Sequence, residues 1–196
     1  IGSRPPIHQS SITASHYALD SHAVRKREEG RVHLDGFLSY PSAVYTVPYG
    51  VMVPKEVGNL LLPVPVSGSH IGFSTLRMEP CWMAMGQAAG IASALSIDGK
   101  VKVQNSDRSR LQDKLVDQKA TLMYFKDVDY TSPHFRMVQY LGLRGYLPEW
   151  TARLQEPVDM ATLTAWKKLS GKDLPGIEAG KTTRLVALEM IYRKIK

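Results

Sequence analysis

The stretch SGSHIGFSTLRMEPCWMAMGQAAG, residues 67–90, changes character halfway along. Its first part is rich in small polar residues, and its second part is almost free of charge and passes from bulky side chains to glycine and alanine. Glu79 and Pro80 are typical of a helix start, because the first helical amides have no intrahelical acceptor and proline has no amide hydrogen. The sequence therefore predicts a polar loop followed by a helix over residues 79–95.

Small residues give this predicted helix an unusual surface. Gly86 and Gly90 are four residues apart and share a face, and Ala89 adds another small side chain between them. A face of this kind lets a backbone or a flat ligand approach to van der Waals contact. Close packing on a strand and contact with a ligand both remain open. The first turn presents unpaired amides and the positive end of the helix dipole, which favours an anion or a polarised oxygen.

Composition narrows the class of protein. The chain has 196 residues, 43% hydrophobic and 22% charged, which is typical of a globular protein with a real core. The net charge of +7 comes from dispersed basic residues without interleaved aromatics, so we expect no nucleic-acid partner. The single cysteine excludes a disulfide within the chain, and the six histidines show no His-x-x-x-His spacing, so we predict no metal site. The longest apolar run, residues 80–95, is too short to span a membrane.

Patterning along the chain predicts an α+β fold in two parts. Strands are expected at residues 31–40, 43–53, 59–69 and 101–104. Helices are expected at residues 79–95, 108–120 with Asp107 as its cap, 133–143, 158–169 and 181–195. We place a boundary near residue 121, which separates a mixed part, 1–120, from a small helical module, 121–196.

Three segments together resemble a known family. They read DSHAVRK (residues 20–26), VPYGVMVPKEVGNLLLPVPVSGSH (47–70) and STLRMEPCWMAMGQAAGIASAL (74–95). They resemble the C-terminal half of the FAD-dependent oxidoreductase family found in many bacteria, whose motifs run from Asp-x-His through Val-Pro-Lys and Ser-x-x-His to Met-x-x-Gly-Gln-Ala-Ala-Gly. Several ordered motifs match over about residues 11–98, which makes the resemblance specific.

The resemblance implies a flavoprotein with two dinucleotide-binding domains. The present chain would supply part of the substrate-side sheet and the flavin-facing helix. By resemblance, His70 and His22 are the candidate catalytic residues, with Asp20 able to orient His22. The candidate cofactor-binding residues are Ser67, Ser69, Arg77, Glu79, Met83, Gly86 and Gln87. Each also has a structural interpretation: a hydrogen-bonded loop histidine for His70, and an ion pair that shapes the helix entrance for Arg77 and Glu79.

Two departures from the family limit what this chain does alone. Gly50 stands where the family has an arginine after Pro-Tyr, so a cation that could bind substrate or flavin is missing. No G-x-G-x-x-G fingerprint follows a strand anywhere in the chain, so the main FAD-anchoring element is absent. We therefore expect a piece of a longer bacterial protein, whose N-terminal FAD-binding half is the partner of this chain. The piece alone should not retain FAD, and the parent would be periplasmic or secreted if it carries a signal peptide.

The last third of the chain has a second, looser resemblance. A Phe-x-Asp-Val opening at residues 125–128 precedes a helix that ends in Leu-x-x-x-Gly, and another helix follows. This resembles a surface-layer-homology module, a family that holds cell-wall polymers, although a plain helical appendage explains the same pattern. Two functions follow. The first is a fragment of an FAD-dependent oxidoreductase that transfers a hydride between an unidentified organic substrate and FAD. The alternative is a non-catalytic module that binds a glycan or a protein through its helical C-terminus.

Overall fold

The fold is α+β, as the patterning predicts. The computed structural model describes residues 9–21 and 38–196. Within these residues there are four short strands: β1 (Ser11–Ser15), β2 (Leu19–Ser21), β3 (Leu38–Tyr40) and β4 (Tyr45–Pro48). The α-helices of the same residues are α1 (His70–Leu76), α2 (Glu79–Gly99), α3 (Arg108–Asp117), α4 (Phe135–Leu143), α5 (Met160–Ser170) and α6 (Arg184–Ile195).

The strands form two small antiparallel sheets. β1 pairs with β4, with an irregular register between Ser11 and Thr13, and β2 pairs with β3. The predicted strand at 43–53 ends early, because Pro48 cannot donate to a ladder, and the chain continues as a 3₁₀ turn at Tyr49–Met52. Most of the predicted strand at 31–40 lies outside the described residues, and its last three residues are β3.

Two predicted strands are wrong. Residues 59–69 are irregular, because Pro63 and Pro65 remove alternate amides from the segment and leave no regular ladder. The segment still runs beside the 3₁₀ turn, where the amides of Leu62 and Ser67 donate to turn carbonyls at 2.8 and 2.7 Å. The strand predicted at 101–104 is instead occupied in part by a second 3₁₀ turn, Val103–Asn105.

The helices follow the predicted periodicity closely. Asp107 caps α3 as expected, and its carboxylate accepts from the amides of Ser109 and Arg110. The long helix α2 begins at Glu79 as predicted and runs four residues past the predicted end. It stops where Lys100 takes a left-handed conformation with φ 51°. Propensity alone did not show that residues 96–99 would stay helical.

One hydrophobic core runs through both predicted parts of the chain. It joins Ile12 of β1 and Met85 of α2 to Leu111 of α3, Val138 of α4 and Leu188 of α6. The boundary near residue 121 stays a prediction, and the core shows that the residues on its two sides pack against each other.

A buried glutamine connects the two sides. Gln139 of α4 is fully buried, and its Oε1 accepts from the backbone amides of Leu122 and Met123 at 2.9 and 2.8 Å. Its Nε2 donates to the carbonyl of Met123 at 2.7 Å. Nearby, the amide of Ala14 in β1 donates to the carbonyl of Thr121 at 2.8 Å. One side chain therefore fixes the segment that leads from the mixed part into the helical module.

The Phe-x-Asp-Val opening has a structural role in the helical module. Phe125 and Val128 are buried in the core. The carboxylate of Asp127 accepts from the amides of Ala152 and Arg153, both at 2.8 Å, and so holds the loop between α4 and α5. These contacts give the Phe-x-Asp-Val sequence a structural role in this fold. The resemblance to a surface-layer-homology module stays a prediction.

Candidate functional site

The polar loop predicted before the long helix is in fact a short helix. Residues His70–Leu76 form α1, which the sequence analysis missed. Ser69 caps it, because its Oγ accepts from the amide of Gly72 at 3.0 Å. The hydroxyl of Ser74 donates back to the carbonyl of Ile71 at 2.6 Å. The capping serine was the signal available in the sequence, and the glycine three residues after it obscured the helical pattern.

This helix divides the candidate residues into two groups. Ser67, Ser69 and His70 lie at the start of α1, and Arg77 follows its last residue. Seven helical residues at 1.5 Å each put about 10 Å between the ends. The other candidates, Glu79, Met83, Gly86 and Gln87, belong to the first half of α2. The cofactor-binding set is therefore divided between the two ends of α1 and the first half of α2.

Individual candidates have structural contacts of their own. The guanidinium of Arg77 lies 5.8 Å from the ring centroid of Tyr17. The Nε2 of Gln87 donates to the Oε1 of Gln118, after the end of α3, at 2.8 Å. His22 lies outside the described residues, so its catalytic role, like the orienting role of Asp20, stays a prediction.

The first turn of α2 offers fewer unpaired amides than the sequence analysis expects. Pro80 has no amide hydrogen, and the amides of Cys81 and Trp82 donate to the carbonyl of Met78 at 3.0 and 3.1 Å. Met78, at the cap position, has no side-chain oxygen with which to cap the helix. The amide of Glu79 is the main donor left at this helix start for an external acceptor.

Beneath this turn lies a buried cluster of weak acids. The hydroxyl of Tyr45 donates to the carbonyl of Thr75 at 2.6 Å and lies 3.4 Å from Ser15 Oγ. Burial raises the pKa of Tyr45 and also that of the neighbouring Cys81 thiol. Both groups therefore stay protonated near neutral pH, which makes Cys81 a packing residue rather than a nucleophile.

The outward face of α2 is largely apolar between two exposed charged residues near its ends, Glu79 and Asp98. Its buried face carries Cys81, Met85, Ala88 and Ala92. The opposite stripe, which we call the α2 stripe, consists of Met83, Gly86, Gly90, Ala94 and Ile97. Met83 and Ile97 are 75% and 77% exposed.

Neither glycine of the α2 stripe packs against the described part of the chain. A Cβ added to Gly86 or Gly90 would meet no atom within 4 Å. Close packing of the glycine face on a strand of this chain is therefore not observed, and Ala89 turns inward to the core instead of sharing that face. A helix that faced water here would carry charged residues, so this surface is suited to another polypeptide or a flat ligand.

A cleft lies beside Gly50, the position where the family arginine is missing. It has a volume of about 440 Å³ and is lined by Gly50, Tyr49, Ser67 and Arg108, among others. Arg108 comes from the start of α3, more than fifty positions along the chain, and its guanidinium lies 4.9 Å from the ring centroid of Tyr49. A cation is thus present near Gly50 after all. The sequence did not predict that Arg108 lies near Gly50. The capping residue Asp107 indicates where α3 begins, but it does not indicate where the side chain of Arg108 points.

Neither a metal centre nor a membrane span is found in the described ranges, 9–21 and 38–196. No group of three or more His, Cys, Asp or Glu side chains there is arranged to hold a metal ion. None of the helices in those ranges combines the length and the hydrophobicity needed to cross a bilayer.

Comparison with known proteins gives one finding. A family model described as FAD dependent oxidoreductase matches residues 5–115, which is more than half of the chain. The matched range includes the two sheets, α1, α2 and most of α3, and the helical module follows it. No curated protein and no solved structure matches the chain.

Proposed function

Because the chain belongs to the FAD dependent oxidoreductase family, we propose that it is the flavin-facing and substrate-facing part of an enzyme that transfers a hydride between an organic substrate and FAD. The flavin, when bound, supplies the hydride chemistry. The residues of this chain position the reactants and exclude water.

The α2 stripe is the observation that carries this proposal. Its uncharged face is left open by the described residues, and the two glycines on it leave room for close approach. The sequence holds no Gly-rich phosphate cradle of its own. We therefore propose that a polypeptide carrying that fingerprint covers the α2 stripe, and that FAD is held between the two. The residues present fit one wall of such a site and do not suffice to hold the cofactor alone.

Within that wall we assign roles to the candidate residues. The amide of Glu79 at the start of α2 would donate to the flavin ring, where negative charge develops on reduction. Met83, Gly86 and Gln87 would contact the cofactor along α2. His70, exposed at the start of α1, would exchange a proton with the substrate. Ser67, Ser69 and Arg77 would bind polar groups of the reactants at the two ends of α1.

An alanine-to-leucine substitution at two separate positions tests whether the proposed FAD-binding polypeptide docks on the α2 stripe. Ala94 on the α2 stripe and Ala165 on α5 are both exposed helical alanines. Each is changed to leucine in the chain fused behind the polypeptide that precedes it in its parent, and bound FAD per protein is measured from visible flavin absorbance. We expect Ala94→Leu to lower bound FAD at least fivefold and Ala165→Leu to leave it unchanged.

The isolated chain provides the second half of the test. Titration of the 196-residue chain with FAD should give no stoichiometric complex, and Ala94→Leu should not lower its melting temperature, because the described residues leave the stripe uncovered. A colourless full-length protein that folds normally would refute the flavoprotein proposal. Equal flavin content in the two leucine variants would refute the docking of the missing half on the α2 stripe.

A further inference from the structure

We propose that a second cleft, at the junction of the mixed part and the helical module, binds a dianionic oxyanion: the phosphate group of a small molecule. This two-arginine cleft has a volume of about 420 Å³, and its lining includes Ser10, Arg108, Ser109, Gln112 and Arg144. It shares Ser10 and Arg108 with the cleft beside Gly50. It lies apart from the α2 stripe, and the proposal does not depend on flavin binding.

Arg108 is held in place by neutral groups. Its Nη1 donates to the carbonyl of Ser106 at 2.6 Å, and its Nη2 donates to the carbonyl of Gln104 at 2.9 Å. Its guanidinium also lies against the ring of Tyr49, whose own hydroxyl donates to the carbonyl of Val103 at 2.9 Å. The cation is therefore fixed in direction before any ligand arrives, which lowers the entropic cost of binding.

Arg144 is held in the same manner. Its Nη1 donates to the carbonyl of Tyr140 at 3.1 Å, and its Nη2 lies 3.4 Å from Ser109 Oγ. Its guanidinium stacks 3.5 Å from the ring centroid of Tyr140. Carbonyls and aromatic rings orient a guanidinium but do not neutralise its charge.

No carboxylate in the described residues forms an ion pair with either arginine. The two acids nearest Arg108 in sequence are engaged elsewhere. Asp107 caps the helix through the amides of Ser109 and Arg110. Asp113 pairs with Arg136 at 3.2 Å and with Lys196 at 3.1 Å. Two oriented positive charges thus line one cavity without a compensating charge from these residues.

The chemistry of this lining selects the ligand class. Two guanidinium groups match the double charge of a phosphate monoester, and each has five N–H donors, more than the two nitrogens already bonded use. Ser109 adds a hydroxyl to the lining. Arg108 comes from the family-matched range and Arg144 from the helical module beyond it. The cleft is therefore complete only when both parts are on one folded chain.

Calorimetric titration of the 196-residue chain with inorganic phosphate at low ionic strength tests the proposal. We expect saturable binding at one site, and at least tenfold weaker binding of the monoanion acetate. Arg144→Gln should weaken phosphate binding at least tenfold. Arg110→Gln is the matched control, because it removes an exposed cation of α3 that does not line the cleft, and it should change the affinity less than twofold.

A second variant guards against loss of folding. Ser109→Asp places a carboxylate beside Arg144 in the first turn of α3, where the helix dipole favours a negative charge, so the fold should persist while phosphate binding is lost. The circular dichroism spectrum and melting temperature of each variant are compared with those of the parent chain. The proposal is overturned if phosphate does not saturate, if Arg110→Gln weakens binding as much as Arg144→Gln, or if Ser109→Asp folds and still binds.

Discussion

Replacing Gln139 by methionine should destabilise this protein more than any other single change of similar volume in α4. The glutamine accepts from the amides of Leu122 and Met123 and donates to the carbonyl of Met123. Methionine has nearly the same volume and shape but no amide, so the substitution leaves the packing in place and removes three buried hydrogen bonds. The two amides and the carbonyl would then be buried without a partner.

The size of the effect follows from these three groups. A buried polar group that loses its partner costs about 1–3 kcal/mol, so the loss of three partners in Gln139→Met should lower the free energy of unfolding by about 3–9 kcal/mol. In a chain of this length each kcal/mol corresponds to roughly 2–4 °C, so the melting temperature should fall by at least about 6 °C.

Urea unfolding followed by circular dichroism and by tryptophan fluorescence measures this loss. Asp113→Asn is the control, because Asp113 also connects α3 to α4 through Arg136 but does so at the surface. Exposed ion pairs contribute little, so this control should cost at most about 1 kcal/mol. If residues 121–196 form a separate domain, the Gln139 variant should shift one of two transitions; if the shared core makes the chain one cooperative unit, it should shift a single transition.

The reasoning is refuted if the free energy of unfolding of Gln139→Met lies within about 1 kcal/mol of that of the parent chain. Both values are obtained by linear extrapolation to zero urea, with the dependence on urea concentration unchanged. That result would mean that water or a shifted backbone satisfies the amides of Leu122 and Met123 without the glutamine.

Two further predictions concern α4 and the buried thiol. Gly142→Ala should lower the free energy of unfolding by about 1–3 kcal/mol, because the new Cβ would lie 2.8 Å from Met123 Sδ and 2.9 Å from Phe125 Cζ. Gly86→Ala on α2 should raise it by about 0.5–1 kcal/mol, because alanine favours a helix and meets no neighbour there. The urea midpoints of the two variants measure these changes, and equal effects would contradict the packing argument. Burial raises the folded-state pKa of Cys81, so its contribution is fully present below the unfolded pKa and is lost as pH rises through the folded one. Stability should therefore fall as pH rises above the unfolded value of about 8.5, and less steeply in Cys81→Ala. Urea midpoints on both sides of this pH test this, and identical slopes in the two proteins would disprove it.

Helices were predictable in this chain because their signals are local. Asp107, Asp159 and Thr183 each cap the helix that follows through their own side chains, and the apolar periodicity beyond each cap is regular. The predicted helices of the last third therefore match α4, α5 and α6 to within three residues at either end. A cap and a period depend on neighbours in sequence, so no tertiary information was needed.

Strands were less predictable, because an apolar run does not specify a pairing partner. Residues 59–69 have the hydrophobicity of a buried strand, and Pro63 and Pro65 decide against a ladder. Conversely β1, at Ser11–Ser15, is short and polar, and it is a strand because Tyr45–Pro48 lies beside it.

From the sequence, the positions of the candidate residues along the chain could be predicted, but their arrangement in space could not. The motifs located α2 and its glycines, and the family match supports that assignment. They could not show that α1 separates His70 from Glu79, or that Arg108 would reach the cleft beside Gly50. Those facts depend on how distant segments pack, which a single sequence does not state.

The open α2 stripe also governs how the chain should behave in solution. The five residues of the stripe carry no charge, so the net charge of +7 on the whole molecule must supply most of the repulsion between copies. Added salt shortens the range of that repulsion and leaves hydrophobic attraction intact. We therefore expect the chain alone to self-associate as ionic strength rises, and a covering partner to abolish this salt dependence.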